Sequence, residues 1–82
     1  MITSNDKNTF ATYDLGLSSA LISDGFQLLD LNRANHSKVQ FIFHDSEKLQ
    51  QAINNYWSDS FAINARTYFD NIKMLKNRIY AS

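Results

Sequence analysis

The sequence predicts an α+β domain with a small, mainly antiparallel sheet and helices on one face, in the order β-α-β-β-α-(β)-α. Three observations carry this expectation. From Lys38 to Trp57 the apolar pattern changes period: Val39, Phe41 and Phe43 alternate with Gln40, Ile42 and His44, and then Leu49, Ala52, Ile53 and Tyr56 recur at helical spacing. A strand with one buried face thus runs into an amphipathic helix. Second, Phe26–Asn32 reads as a further strand, and only the polar connection Arg33–Ser37 separates it from the stretch that begins at Lys38, so the two should pair as a hairpin. Third, Tyr68, Ile72, Leu75 and Ile79 form a continuous stripe on a last helix running from about Ala65 to Tyr80, long enough to cover the sheet.

The first eight residues are polar and aperiodic, giving a flexible N-terminal segment (1–8) ahead of a single compact domain (9–82). Thr9–Tyr13 is a short strand. Asp14 has the side chain of a helix N-cap, Leu17, Ala20 and Leu21 make the next stripe with Ser18 and Ser19 outside it, and Gly25 stands where a helix stops at positive φ. Asp45 or Ser46 caps the second helix. After Ser58-Asp59-Ser60 breaks that helix, Phe61-Ala62-Ile63 has the length of a short edge strand and Asn64 caps the last helix. Ile63 and Tyr68 then occupy the two positions of a hydrophobic staple. The same order of elements also admits a miniature ferredoxin-like arrangement with an added C-terminal helix.

Composition narrows the function classes. At 82 residues the chain buries roughly 60% of its unfolded surface, so the core is limited, and with no cysteine neither a disulfide nor a thiolate metal site reinforces it. That absence fits a reducing cytoplasm, and no segment has the apolar length of a membrane span. Eight basic and eight acidic residues cancel, which argues against a broad phosphate-binding footprint and leaves room only for a local patch.

Together these segments resemble a family of small bacterial and phage-associated domains known only as a domain of unknown function. The resemblance covers Thr9 to about Ala81. It is carried by Thr12-Tyr13-Asp14-Leu15, by Asp24-Gly25-Phe26-Gln27-Leu28, by Phe41-Ile42-Phe43 followed by Asp45-Ser46, by Asn55-Tyr56-Trp57 and by Met74-Leu75-Lys76. Where relatives tend to start the last helix with Asp-Pro, this chain has Asn64-Ala65, which keeps the cap and loses the pre-organised N1 proline. The resemblance implies a bacterial or phage source and an α+β fold, and brings no activity and no functional residues.

No catalytic signature stands out. The two glycines, Gly16 and Gly25, build no phosphate loop, no serine sits in a nucleophile elbow, and His36 and His44 lack ligand spacing. Asp14, Asp45 and Asp59 are explained as helix-start carboxylates. The expectation is a non-enzymatic protein without cofactor or metal. One surface pattern rises above this background. Arg66, Lys73 and Lys76 lie within about a quarter turn of one another on the last helix, interleaved with Phe69 and Tyr80. Trp57 falls off the stripe of its own helix and joins them as a candidate contact residue. A secondary candidate surface is the hairpin connection with Arg33, His36 and Lys38. Read as structure alone, these are solvated faces whose lysine stems cover apolar surface, with Asp70 interrupting the basic stripe and pairing with Arg66 or Lys73. Read as function, they predict a module that docks to another protein or to itself, with nucleic-acid binding through the basic helix face as the alternative and no membrane partner.

Overall fold

The computed structural model describes residues 8–35 and 37–81. Its elements are β1 (Thr9–Thr12), α1 (Leu15–Ser23), β2 (Leu28–Asn32), β3 (Gln40–His44), α2 (Glu47–Trp57) and α3 (Ala65–Tyr80). The sheet has three strands in the order β1-β3-β2, with both pairings antiparallel. β1 and β2 therefore run the same way with β3 between them, and α1 makes the crossover. The expected hairpin is formed by β2 and β3. Residues 60–64 contribute no strand, so the optional strand at Phe61–Ile63 is absent and the fourth strand of a ferredoxin-like sheet with it. The expected segment 1–8 lies outside the described residues except for Asn8, whose carbonyl accepts the Asp45 amide at 2.8 Å and extends the β1–β3 ladder by one rung.

β3 organises the core, because it is the central strand and its two phenylalanines point the same way. Phe43 lies opposite Phe10 on one side and Leu28 on the other; Phe41 lies opposite Thr12 and Leu31. Both rings are buried, and they join Leu17 and Leu21 of α1, Leu49, Ala52 and Ile53 of α2 and Leu75 of α3 in one cluster. The helices thus cover one sheet face. On the other face His44 lies opposite Thr9, and Ile42 opposite Ala11. The imperfect alternation of β2 has a structural cause: a bulge between Leu28 and Asp30 puts Leu29 out of register and half in solvent.

Each helix start is built from the side chain the sequence supplies there. Asp14 Oδ1 accepts the Leu17 amide at 2.9 Å, Ser46 Oγ the Leu49 amide at 3.1 Å, and Asn64 Oδ1 the Arg66 and Thr67 amides at 3.0 and 3.1 Å. Ser46 is therefore the cap of α2, while Asp45 sits one residue outside it and accepts from the Gln50 side chain at 3.0 Å. The ends of α1 and α2 are also alike. Gly25, at φ 103°, donates to Ile22 O while Phe26 donates to Leu21 O, both at 3.0 Å. Asp59 donates to Tyr56 O at 3.4 Å and Ser60 to Asn55 O at 2.9 Å. These are paired Schellman bonds, which need a left-handed residue just past the helix. Asp59, at φ 61°, supplies it; it ends α2 rather than starting the next helix, correcting the capping role expected of it.

The other correction concerns Ser18 and Ser19, which are wholly buried rather than outside the α1 stripe. The reason is that α1 packs against both α2 and α3 while its leucines enter the sheet-side core, so it has no wide solvent face. Small side chains suit such a helix, and the two hydroxyls donate to the carbonyls of Asp14 and Leu15, each at 2.8 Å, so neither is left unpaired.

Candidate interaction face and cleft

The inward stripe of α3 behaves as its spacing predicts: Leu75 is fully buried and Tyr68, Ile72 and Ile79 are partly so. Fixing that face also fixes its flank, about 100° round the helix. Arg66, Phe69, Lys73, Lys76 and Tyr80 follow one another at steps of three and four and all are exposed, Phe69 at 59% and Tyr80 at 81%. The Lys73 ammonium stands 5.4 Å from the Phe69 ring centroid, a cation–π distance. Helix α3 holds four of the eight basic residues and one of the eight acidic ones; the rest of the chain therefore has four basic residues against seven acidic. A neutral protein thus concentrates its positive charge on one helix.

The structure also joins this stripe to the secondary candidate surface. An open cleft of about 850 Å³ lies between the β1–α1 junction, the β2–β3 connection and the end of α3. Tyr13, Arg33, Lys38 and Tyr80 line it together with the apolar side chains of Val39 and Ile79. Lys38 Nζ is 5.4 Å from the Tyr13 ring centroid. Arg33 has a task the sequence did not reveal. Its guanidinium donates to the carbonyls of Arg78 at 2.7 Å and Ile79 at 3.0 Å, closing the C-terminus of a helix some 46 residues further on. His36, the remaining member of the secondary surface, lies outside the described residues.

Trp57 belongs to another element. It ends α2, 61% exposed, with its ring edge-on to Tyr56 at 4.9 Å between centroids. Tyr56 itself turns inward to a junction that sequence spacing could not foresee. Gly16 leaves the room: a Cβ there would lie 2.9 Å from the Tyr56 hydroxyl and 3.3 Å from that of Tyr68. The Tyr68 hydroxyl donates to Gly16 O at 3.3 Å, and Ile63 and Tyr68 line the same small cavity of about 250 Å³, consistent with the staple. Burial, followed by the hydrogen bond to Tyr68 and the nearby charges of Tyr68 and Asp14, pushes Tyr56 from 10.0 up to about 12. Folding therefore favours its neutral form. The stabilisation is fully present below pH 10 and is lost as pH rises from there through about 12. Urea unfolding over that window is expected to show a loss of stability that Tyr56→Phe largely removes; equal alkaline slopes in the two proteins would show that Tyr56 is not the titrating group.

Among the described residues, no group of three or more histidine, aspartate or glutamate side chains converges in a way that would hold a metal ion, and no helix is long and apolar enough to cross a membrane. A family model described as Domain of unknown function (DUF5659) matches residues 7–81. The chain belongs to this family. The match takes in every described strand and helix, so the stripe, the cleft and the Arg33 contact all lie within the DUF5659 domain. Neither the curated proteins nor the solved structures give a match.

Proposed function

We propose that this DUF5659 domain is a non-enzymatic interaction module whose outer α3 face docks an acidic partner protein. The observation that supports it is the exposed Arg66-Phe69-Lys73-Lys76-Tyr80 stripe, in which two large rings are interleaved with three cations beside the face that α3 turns to the core. Aromatic and arginine side chains are what binding surfaces use as anchors, and surrounding cations select the charge of the partner. Cations outnumber the single α3 carboxylate, Asp70, which is also exposed, so an acidic partner surface complements this helix. The lack of cysteine accords with a cytoplasmic setting.

A second reading rests on the same stripe: exposed rings among cations also suit stacked bases and phosphates of a single-stranded nucleic acid. Anisotropy titrations with a labelled oligoglutamate peptide and a labelled oligothymidylate, at roughly 50 and 200 mM salt, separate the two. The expected result is binding of the peptide that falls about tenfold or more in an Arg66→Ala, Lys73→Ala, Lys76→Ala triple variant, consistent with loss of several charge contacts. Preference for the oligonucleotide would replace the protein reading by the nucleic-acid one, and unchanged peptide binding by the triple variant would remove α3 from the interface.

A further inference from the structure

We propose that the cleft at the end of α3 receives an aromatic side chain from an extended acidic peptide whose backbone lies along the α3 stripe. This rests on the reading of α3 given above and goes further by naming the form of the partner. Tyr80 makes the connection, because it is both the last member of the stripe and a wall of the cleft. A ligand following the cations from Arg66 is led into the cleft without leaving the surface. The 14 steps from Arg66 to Tyr80 span about 21 Å of helix, the length of roughly six residues of extended peptide.

The chemistry of the cleft fits the end of such a peptide. Its apolar surface, from Val39 and Ile79, is continuous with the buried Phe41, and Tyr13 and Tyr80 offer ring faces and edges at the mouth. An aromatic side chain entering there gains burial and ring contacts together. The charge available to the ligand is positive. Arg33 and Lys38 line the cleft against one carboxylate, Asp14, whose Oδ1 caps α1 through the Leu17 amide, and among the described residues Lys38 has the Tyr13 ring beside it. A carboxylate next to the inserted ring would meet Lys38, and those further along would meet Lys76 and Lys73. A volume of about 850 Å³ is ample for one large side chain and its flanking backbone.

The test compares two labelled acidic peptides, one ending in phenylalanine and one with alanine in its place, on the full chain and on two variants. Tyr13→Ala with Lys38→Ala alters the cleft mouth at exposed positions; Lys73→Ala with Lys76→Ala alters the stripe. Circular dichroism and thermal melts confirm that both variants fold. The phenylalanine peptide is expected to bind the unaltered protein about tenfold more tightly than the alanine peptide, an advantage the cleft variant abolishes and the stripe variant keeps while weakening both peptides. Equal binding of the two peptides, with both weakened by the stripe variant, would overturn the cleft proposal and leave the α3 reading standing. No binding of either peptide would overturn both.

Discussion

Phe43→Ala is expected to cost about 3–5 kcal/mol, the range for truncating a fully buried phenylalanine. For a domain of 82 residues that is a large part of a typical total stability of about 5–15 kcal/mol, and much of the variant should be unfolded at room temperature. The size of the effect follows from position. Phe43 has no exposed surface, sits on the central strand, and has Phe10 and Leu28 as cross-strand neighbours on the same face. Its removal leaves a cavity bounded by two strands that cannot close without shifting the ladders that hold the sheet together. Ile42→Ala is the matched control. It lies next in sequence on the same strand but points to the open sheet face, so its loss should be well under half as large. Urea unfolding at neutral pH measures both, with a shifted midpoint and an unchanged slope expected for each. Equal costs for Phe43 and Ile42 would mean that the sheet is buried on both faces.

The contrast between those neighbours was legible in the sequence because a strand has only two faces and period two assigns each residue to one of them. The same holds for α3, whose outward stripe became certain once Tyr68, Ile72, Leu75 and Ile79 were turned inward. Caps were legible for a similarly local reason: Asp14, Ser46 and Asn64 act on amides two or three residues away. What the sequence withheld depends on neighbours far along the chain. Ser18 and Ser19 look solvent-facing until α2 and α3 are both placed against α1. Asp59 looks like a cap for the next helix, since a carboxylate in a break between helices suits either role and only its backbone angle decides. Phe61-Ala62-Ile63 has strand composition and forms none, because composition supplies no partner edge. The candidate surface was legible residue by residue along α3. That Tyr80 meets Lys38 and Arg33 in one cleft was not, since the three come from elements that only tertiary packing brings together.

Arg33 is the clearest of these long-range contacts, and replacing it with alanine is expected to cost about 1–2 kcal/mol. Two charge-assisted hydrogen bonds to carbonyls that the helix itself cannot satisfy, and a cation at the negative end of the helix, would be lost together. Exposure to solvent keeps the figure at the low end of what such bonds are worth when buried. Arg33→Lys should recover only part of it, because one ammonium on a flexible stem lacks the planar fork that reaches two successive carbonyls. Urea unfolding gives the total, and amide exchange locates it: protection should fall in the last turn of α3 and change little around Leu49 and Ala52 of α2. Uniform loss of protection across the domain would assign Arg33 to global packing instead, and unchanged protection in the last turn would remove it as a helix closure. The consequence reaches the cleft. Arg33 ties the β2–β3 connection to the helix end, and these carry Lys38 on one side and Tyr80 on the other. Releasing it frees the two walls to move apart, so Arg33→Ala should weaken binding of the phenylalanine peptide more than that of the alanine peptide. An arginine that reads as a binding residue in the sequence is thus, in the structure, a tie between the β2–β3 connection and the end of α3, the two walls of the proposed cleft.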